Sequence, residues 1–235
     1  MKSAYREYMM RKNDSQPLVI ATVSTAGDLA KLDQCDIQLA CDCLEFRLDS
    51  LSSSNLLPAA ESAILRAHAP SIITVRHSQE GGEGELDAAT RATLYQRYLE
   101  VAWAIDIEIQ SLEELAEVVA AAKAGKPLVI ASFHDFDKLP ETTLLEEKIE
   151  QGIAAGADIV KLAARLHSQD DIIRLVSVLE KETRIPLSVM GMGSLGKASR
   201  LLAAKSGSIL NYGYLTEANA PGQCPAEILK ELIAG

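Results

Sequence analysis

Residues 157–163 read ADIVKLA, an apolar run that one lysine, Lys161, interrupts. A short apolar run that follows a helix-ending glycine is typical of a strand buried on both faces in a parallel sheet. Lys161 would lie near the end of this strand, where partial loss of water lowers the pKa of an amine. A neutral amine is what an enzyme needs to form a Schiff base with a carbonyl compound. A lysine that reaches solvent or pairs with a carboxylate is the alternative.

Strand-like and helix-like segments alternate on both sides of this run, and a predicted helix follows each predicted strand. The predicted strands are 18–23, 43–48, 71–75, 104–109, 127–132, 158–162, 187–190 and 208–212. No linker or low-complexity stretch separates them, and the 235 residues approach the ~250 typical of a TIM barrel. We therefore predict a single-domain (β/α)8 TIM barrel over residues 17–235, preceded by a short polar arm at 1–16. An open doubly wound sheet is the alternative, but the first strand–helix junction lacks a Gly-x-Gly-x-x-Gly pattern.

Composition narrows the classes of partner. The formal net charge of −10 argues against nucleic acid and anionic membranes. No apolar run reaches the ~18 residues that cross a bilayer, and residues 1–13 lack the apolar segment of a signal peptide, so we expect a cytoplasmic protein. The four cysteines have no adjacent histidine or second pair, which favours reduced thiols over a metal site.

Polar side chains occur at most of the predicted strand ends, where the active sites of such barrels lie. Glu45 and Arg47 are two residues apart on the second strand and therefore share a face. The fourth strand carries Asp106 and Glu108 with the same spacing. The other ends present Arg76 and Glu80, His134, Lys161, Arg200, and a loop with Asn219 and Gln223. Any one of these side chains has a structural explanation, but together they favour an enzyme.

The residue types favour chemistry through an imine. An imine on a lysine turns a carbonyl carbon into an electron sink and makes the adjacent C–H bond acidic. A histidine with a pKa near neutrality, such as His134, suits proton transfer to and from carbon and hydroxyl. Several arginines indicate a substrate carboxylate or phosphate. Schiff-base aldol cleavage and Schiff-base dehydration both fit these residues.

Six motifs occur in order along nearly the whole chain. They are EFRLD at 45–49, RHSQEGG at 76–82, SFHDF at 132–136, VKLA at 160–163, MGMG at 190–193 with Ser199 and Arg200, and APGQ at 220–223. Together they resemble the motifs of the type I 3-dehydroquinate dehydratases. The resemblance implies a shikimate-pathway lyase that converts 3-dehydroquinate to 3-dehydroshikimate by syn loss of water through an imine. It implies no metal and no cofactor.

The resemblance also implies roles for single residues. Lys161 is similar to the Schiff-base lysine, His134 to the general acid and base, and Glu80 to the carboxylate that pairs with the histidine. The residues that resemble substrate contacts are Glu45, Arg47, Arg76, Arg200, Asn219 and Gln223. The expected partner is therefore a small molecule, 3-dehydroquinate, and the expected assembly is a homodimer.

Two features depart from the family pattern. Asn219 stands where the family's lid usually has serine, and residues 1–16 lack the pattern of the β-hairpin often found under the barrel. Two other interpretations stay open. A class I aldolase-like barrel would bind phosphate with residues 190–200, but it leaves Glu45, Arg47 and the lid unexplained. A catalytically silent barrel would only bind a metabolite.

Overall fold

The computed structural model describes residues 17–34, 37–67, 69–125 and 127–235. Within these residues, eight strands alternate with ten α-helices. Strands β1 to β8 are Leu18–Val23, Cys43–Arg47, Ser71–Thr74, Ala104–Glu108, Leu128–Asp135, Ile159–Arg165, Leu187–Met192 and Leu210–Tyr214. Helices α1 to α10 are Ala26–Leu32, Ile37–Ala40, Leu48–Ser53, Leu57–Arg66, Ala88–Tyr98, Ala116–Ala124, Thr142–Ala154, Gln169–Lys181, Gly196–Lys205 and Ala226–Ala234. The predicted arm at 1–16 lies outside the described residues.

The strands form one parallel sheet that curves into an almost closed barrel. Their order is β7-β6-β5-β4-β3-β2-β1-β8, so the two edges are β7 and β8. Hydrogen bonds join these edges, from the Ile209 amide to the Leu187 carbonyl at 3.0 Å and from Ser188 Oγ to the Leu210 carbonyl at 2.5 Å. The predicted (β/α)8 barrel is confirmed.

The barrel interior changes from apolar to charged along the strands. Ala104 and Ile159 are the first residues of β4 and β6, and both belong to one apolar cluster. Because side chains alternate along a strand, Asp106 shares the face of Ala104, and Lys161 shares the face of Ile159. On these two strands the apolar residues therefore lie nearer the N-terminal ends, and the charged residues lie next to them toward the C-terminal ends.

Three strands, β5, β6 and β7, are longer than the apolar pattern predicts. β5 ends at Asp135 and β6 at Arg165, so His134 lies inside β5 and pairs in register with Ala163. Lys161 is the third of seven residues in β6 rather than its end. The prediction of a strand-end lysine is therefore wrong, because hydrophobicity marks only the apolar part of a strand whose ladder continues through polar residues.

The helices cover the outside of the sheet and begin at side-chain caps where the sequence has them. The Asp87 carboxylate accepts a hydrogen bond from the Thr90 amide at 2.8 Å, as the predicted N-cap of α5 requires. Of the described helices, none combines the length and the apolarity that crossing a membrane requires.

The junction between β8 and α10 depends on Gly213. A Cβ atom at this position would lie 2.6 Å from the Ala226 Cα and 2.9 Å from the Cys224 carbonyl oxygen. Both are backbone atoms, so the chain would have to move. We expect Gly213→Ala to lower the free energy of unfolding by about 1–3 kcal/mol in urea titrations.

Gly27→Ala in α1 is the control, because its Cβ would meet its nearest neighbours at 3.6 Å. This variant should leave the free energy of unfolding unchanged or raise it by up to about 1 kcal/mol. Equal unfolding midpoints for Gly213→Ala and the parent would contradict the close packing of β8 on α10.

Candidate active site

All nine predicted site residues line one cavity at the C-terminal ends of the strands. About 760 Å³ of space between atoms lies at this site, including the part open to solvent at the mouth of the cavity. The structure adds lining residues to which the sequence assigned no role, among them Thr22, Phe136, Ala163, Met190, Met192 and Tyr212.

Lys161 has three close neighbours in the barrel. Its Nζ lies 2.7 Å from Asp106 Oδ2, 3.7 Å from Glu45 Oε1 and 4.0 Å from the centre of the Tyr212 ring. The side chain is only 5% exposed, so it does not reach bulk solvent. Of the structural alternatives, the carboxylate pair is therefore the one realised. The Asp106 carboxylate therefore lies within hydrogen-bond distance of the amine that would attack a carbonyl.

Asp106 connects the lysine to the rest of the charged layer. Its carboxylate also accepts hydrogen bonds from Arg76 Nη2 at 2.8 Å and Ser132 Oγ at 2.6 Å. Burial raises the pKa of Asp106, but the charges of Arg76 and Lys161 outweigh burial and hold the pKa below its ordinary value. Asp106 is the central residue that sequence reasoning left without a role, although an acidic residue on an inward position of an apolar strand was a signal for it.

His134 and Glu80 form a second pair at the same cavity. Glu80 Oε2 lies 2.9 Å from His134 Nδ1 and accepts a hydrogen bond from the His134 amide, also at 2.9 Å. Burial lowers the pKa of His134 well below 6.5, and the charges of Arg76 and Lys161 lower it further. Burial also raises the pKa of Glu80 to about 7. The imidazole is therefore neutral at neutral pH, while Glu80 titrates.

The charge on Glu80 sets which nitrogen of His134 carries the proton. An ionised Glu80 can only accept, so Nδ1 donates to it and Nε2 keeps a free electron pair. A protonated Glu80 can donate to Nδ1, and the ring proton then sits on Nε2. His134 Nε2 can therefore act as a base when Glu80 is ionised.

Arg47 and Arg76 are both neutralised by carboxylates. Arg47 donates to Asp49 from Nε at 3.0 Å and from Nη2 at 2.6 Å. Arg76 Nη1 donates to Glu108 Oε1 at 2.8 Å, in addition to the bond between Nη2 and Asp106. These contacts hold both guanidinium groups rigidly at the cavity wall.

Arg200 differs from the other two arginines. It is 2% exposed, and its Nη1 donates to the Tyr212 carbonyl at 3.0 Å. Its Nε is buried without a hydrogen-bond partner, and within the described part of the chain no carboxylate pairs with it. Burial lowers the pKa of Arg200 to about 10, so the group remains a cation at neutral pH. A buried cation without a counter-ion is suited to bind an anion.

The loop at 215–223 follows β8 and contributes Asn219, Ala220 and Gln223 to the cavity lining, and we call it the lid. The Asn219 amide donates to Gln223 Oε1 at 2.8 Å, and Asn219 Nδ2 donates to Ser24 Oγ. The Gly193 amide donates to the Pro221 carbonyl at 2.9 Å. The lid is thus joined to the ends of β1 and β7.

Comparison with known proteins identifies this arrangement. The model of the type I 3-dehydroquinase family matches residues 17–234. The 3-dehydroquinate dehydratase of Methanocella arvoryzae is 34% identical over 219 residues, which cover 93% of this chain and 96% of that protein. The chain belongs to the type I 3-dehydroquinase family. It is a Schiff-base hydro-lyase of the shikimate pathway, and this decides against the aldolase-like barrel and the catalytically silent barrel.

Further type I 3-dehydroquinase relatives agree in sequence and in fold. The 3-dehydroquinate dehydratase of Methanococcoides burtonii is 33% identical over 227 residues, covering 93% of this chain and 94% of that one. The crystal structure of the Geobacillus kaustophilus enzyme has 26% identity and a TM-score of 0.83, with 93% of this chain and 90% of that chain covered. A type I enzyme from Clostridium difficile, at 22% identity and a TM-score of 0.81 over 94% and 92% of the two chains, shares the fold.

The titration of Glu80 predicts the pH dependence of this type I 3-dehydroquinase. The raised pKa means that the ionised form, which leaves His134 Nε2 free as a base, becomes populated as pH rises through about 7. We expect kcat/KM to rise with pH through that value. Glu80→Gln should remove the rise, since glutamine can accept from Nδ1 but does not titrate.

Glu83→Gln is the matched control, because Glu83 is an exposed neighbour in the same loop. This variant should keep the parental pH profile of kcat/KM. A rise near pH 7 that persists in Glu80→Gln would assign the titration to another group.

Proposed function

We propose that this enzyme dehydrates 3-dehydroquinate through an imine on Lys161, with His134 as both acid and base. The observation that carries the proposal is the placement of a buried amine and a neutral, carboxylate-paired imidazole at one cavity. A homodimer and a cytoplasmic location, both expected from the sequence, belong to the same proposal. Sedimentation of the purified protein tests the dimer.

The first step is formation of the imine. Lys161 gives up a proton, and its neutral Nζ attacks the ketone carbon of the substrate to form a carbinolamine. The released proton returns to the carbinolamine hydroxyl, which leaves as water and gives a C=N bond. The iminium nitrogen carries the positive charge that the ammonium carried before. Asp106 at 2.7 Å and the face of the Tyr212 ring at 4.0 Å are already placed to stabilise that charge.

The second step is loss of water from the substrate ring. The iminium acidifies the adjacent C–H bond, and His134 Nε2 takes this proton to give an enamine. The same nitrogen then donates the proton to the leaving hydroxyl, while the enamine electrons form the new C=C bond and restore the iminium. One imidazole serves both groups on one face of the ring, which accounts for a syn elimination. Hydrolysis of the iminium releases the product and the free lysine.

The remaining predicted residues are proposed to bind the substrate. Arg200 offers a buried cation without a counter-ion to the substrate carboxylate. Arg47, Arg76 and Glu45 surround the part of the cavity proposed for the ring hydroxyls. Glu45 accepts from Thr74 Oγ1 at 2.9 Å, and this contact fixes its orientation.

Chemical trapping tests the imine. Borohydride added with 3-dehydroquinate should reduce the C=N bond and fix a substrate-derived mass on Lys161, measured by peptide mapping. Lys161→Ala should give no adduct. His134→Ala should lower kcat by about 10²–10⁴-fold but still give the adduct, because it removes proton transfer and leaves the amine. An adduct mapped to another lysine in an active enzyme would refute the assignment.

Substitution of Arg200 tests whether this residue binds the substrate carboxylate. Arg200→Ala removes a charge-assisted contact of about 1.5–3 kcal/mol, so KM for 3-dehydroquinate should rise roughly 10–150-fold while kcat changes less. Arg97→Ala is the control, since Arg97 lies half-exposed in a surface pair with Glu61. An unchanged KM in Arg200→Ala would show that the substrate carboxylate binds in another part of the cavity.

A further inference from the structure

Asp28 is a fully buried carboxylate that none of the proposed steps uses. It lies in the first turn of α1, after β1. Its Oδ2 accepts hydrogen bonds from the Ser24 amide at 2.9 Å and the Thr25 amide at 3.0 Å. Its Oδ1 accepts from the Thr216 amide at 3.1 Å and from Thr216 Oγ1 at 2.5 Å. Thr216 lies at the start of the lid, 188 positions later in the chain.

The two oxygens of Asp28 have separate partners. Oδ2 completes a capping box with Thr25, which is a common way to begin a helix. This local role accounts for the acidic residue but does not involve Oδ1. The bonds from Oδ1 to Thr216 connect α1 to the lid instead.

A second connection leads from Asp28 to the middle of the lid. Ser24 Oγ donates to Asp28 Oδ2 at 3.4 Å and accepts from Asn219 Nδ2. The Asn219 amide in turn donates to Gln223 Oε1 at 2.8 Å. The start of the lid and its two predicted substrate-binding residues are therefore linked to the same buried carboxylate.

We propose that Asp28 is a positioning residue for substrate binding. By holding Thr216 directly and Asn219 through Ser24, it keeps the lid at the position where Asn219 and Gln223 face the cavity. When the lid moves away, Oδ1 loses two donors in a buried place, and this loss favours the closed position. The inference rests on the proposed binding roles of Asn219 and Gln223.

The same link gives a reason for asparagine at position 219. The Asn219 side chain places its donor, Nδ2, one covalent bond further from the backbone than a serine hydroxyl at the same position would be. Asn219→Ser would therefore shorten the reach toward Ser24 and weaken the connection to Asp28. The longer side chain of Asn219 is therefore what lets Nδ2 contact the hydroxyl of Ser24, which directly follows β1.

Variants of Thr216 and Thr25 separate the role of Asp28 in holding the lid from its role in capping α1. Thr216→Val keeps the side-chain shape and removes the hydroxyl that donates to Oδ1. We expect it to raise KM for 3-dehydroquinate roughly 5- to 30-fold with a smaller change in kcat, because a hydrogen bond to a charged group is lost. Amide hydrogen exchange of residues 215–223 in the free enzyme should become at least several-fold faster. Thr216→Ser, which keeps the hydroxyl, should restore both properties.

Thr25→Val is the matched control, because it removes the N-cap of α1 and leaves Oδ1 and Thr216 in place. It should lower Tm and keep the parental KM and the parental exchange of residues 215–223. The inference is overturned if Thr216→Val keeps parental KM and exchange, or if Thr25→Val changes both as much as Thr216→Val does.

The exchange measurement needs no catalysis, so it distinguishes this inference from the proposed mechanism. Faster exchange in Thr216→Val supports the lid anchor even if borohydride labels another lysine. Parental exchange in Thr216→Val, with normal trapping on Lys161, refutes the anchor and leaves the mechanism in place.

Discussion

The ion pair between Lys161 and Asp106 is the contact on which the active site depends. A charged amine inside a barrel is costly unless an opposite charge lies next to it, and Asp106 supplies that charge at 2.7 Å. The same carboxylate holds Arg76 and Ser132, so side chains of β4, β5 and β6 and the arginine that follows β3 meet at one group. Without Asp106, Lys161 would be left with Glu45 at 3.7 Å, and Arg76 with Glu108 at 2.8 Å.

The network of ion pairs extends from the barrel interior to a surrounding helix. Glu108 accepts from Arg76 on its inner side and from the buried Arg91 of α5 on its outer side. Arg91 also donates to the Val75 carbonyl at 3.0 Å, which ties α5 to the end of β3. The arginines at the cavity wall are therefore fixed before any substrate arrives. Arg200 is the exception, and its missing counter-ion is what the substrate would supply.

Much of the site could be predicted because parallel strands in a barrel end at one face. Residues as distant in sequence as Glu45 and Gln223 had to meet once the strand pattern was recognised, and all nine predicted residues do line one cavity. The central place of Asp106 and the length of β6 could not be predicted, since apolar periodicity does not show which polar groups pair inside. The contact of Asn219 with Ser24 joins residues 195 positions apart and leaves no local signal in the sequence.

β7 and β8 meet at a seam that hydrogen bonds join without a regular ladder. The strands from β2 to β6 have continuous ladders and carry the paired charges of Lys161 and Asp106. The lid follows β8 and α9 follows β7, so both lie beside the seam. Lys161 of β6 and Asp106 of β4 lie on strands that continuous ladders join through β5, so these ladders, not the seam, set the distance between the two side chains.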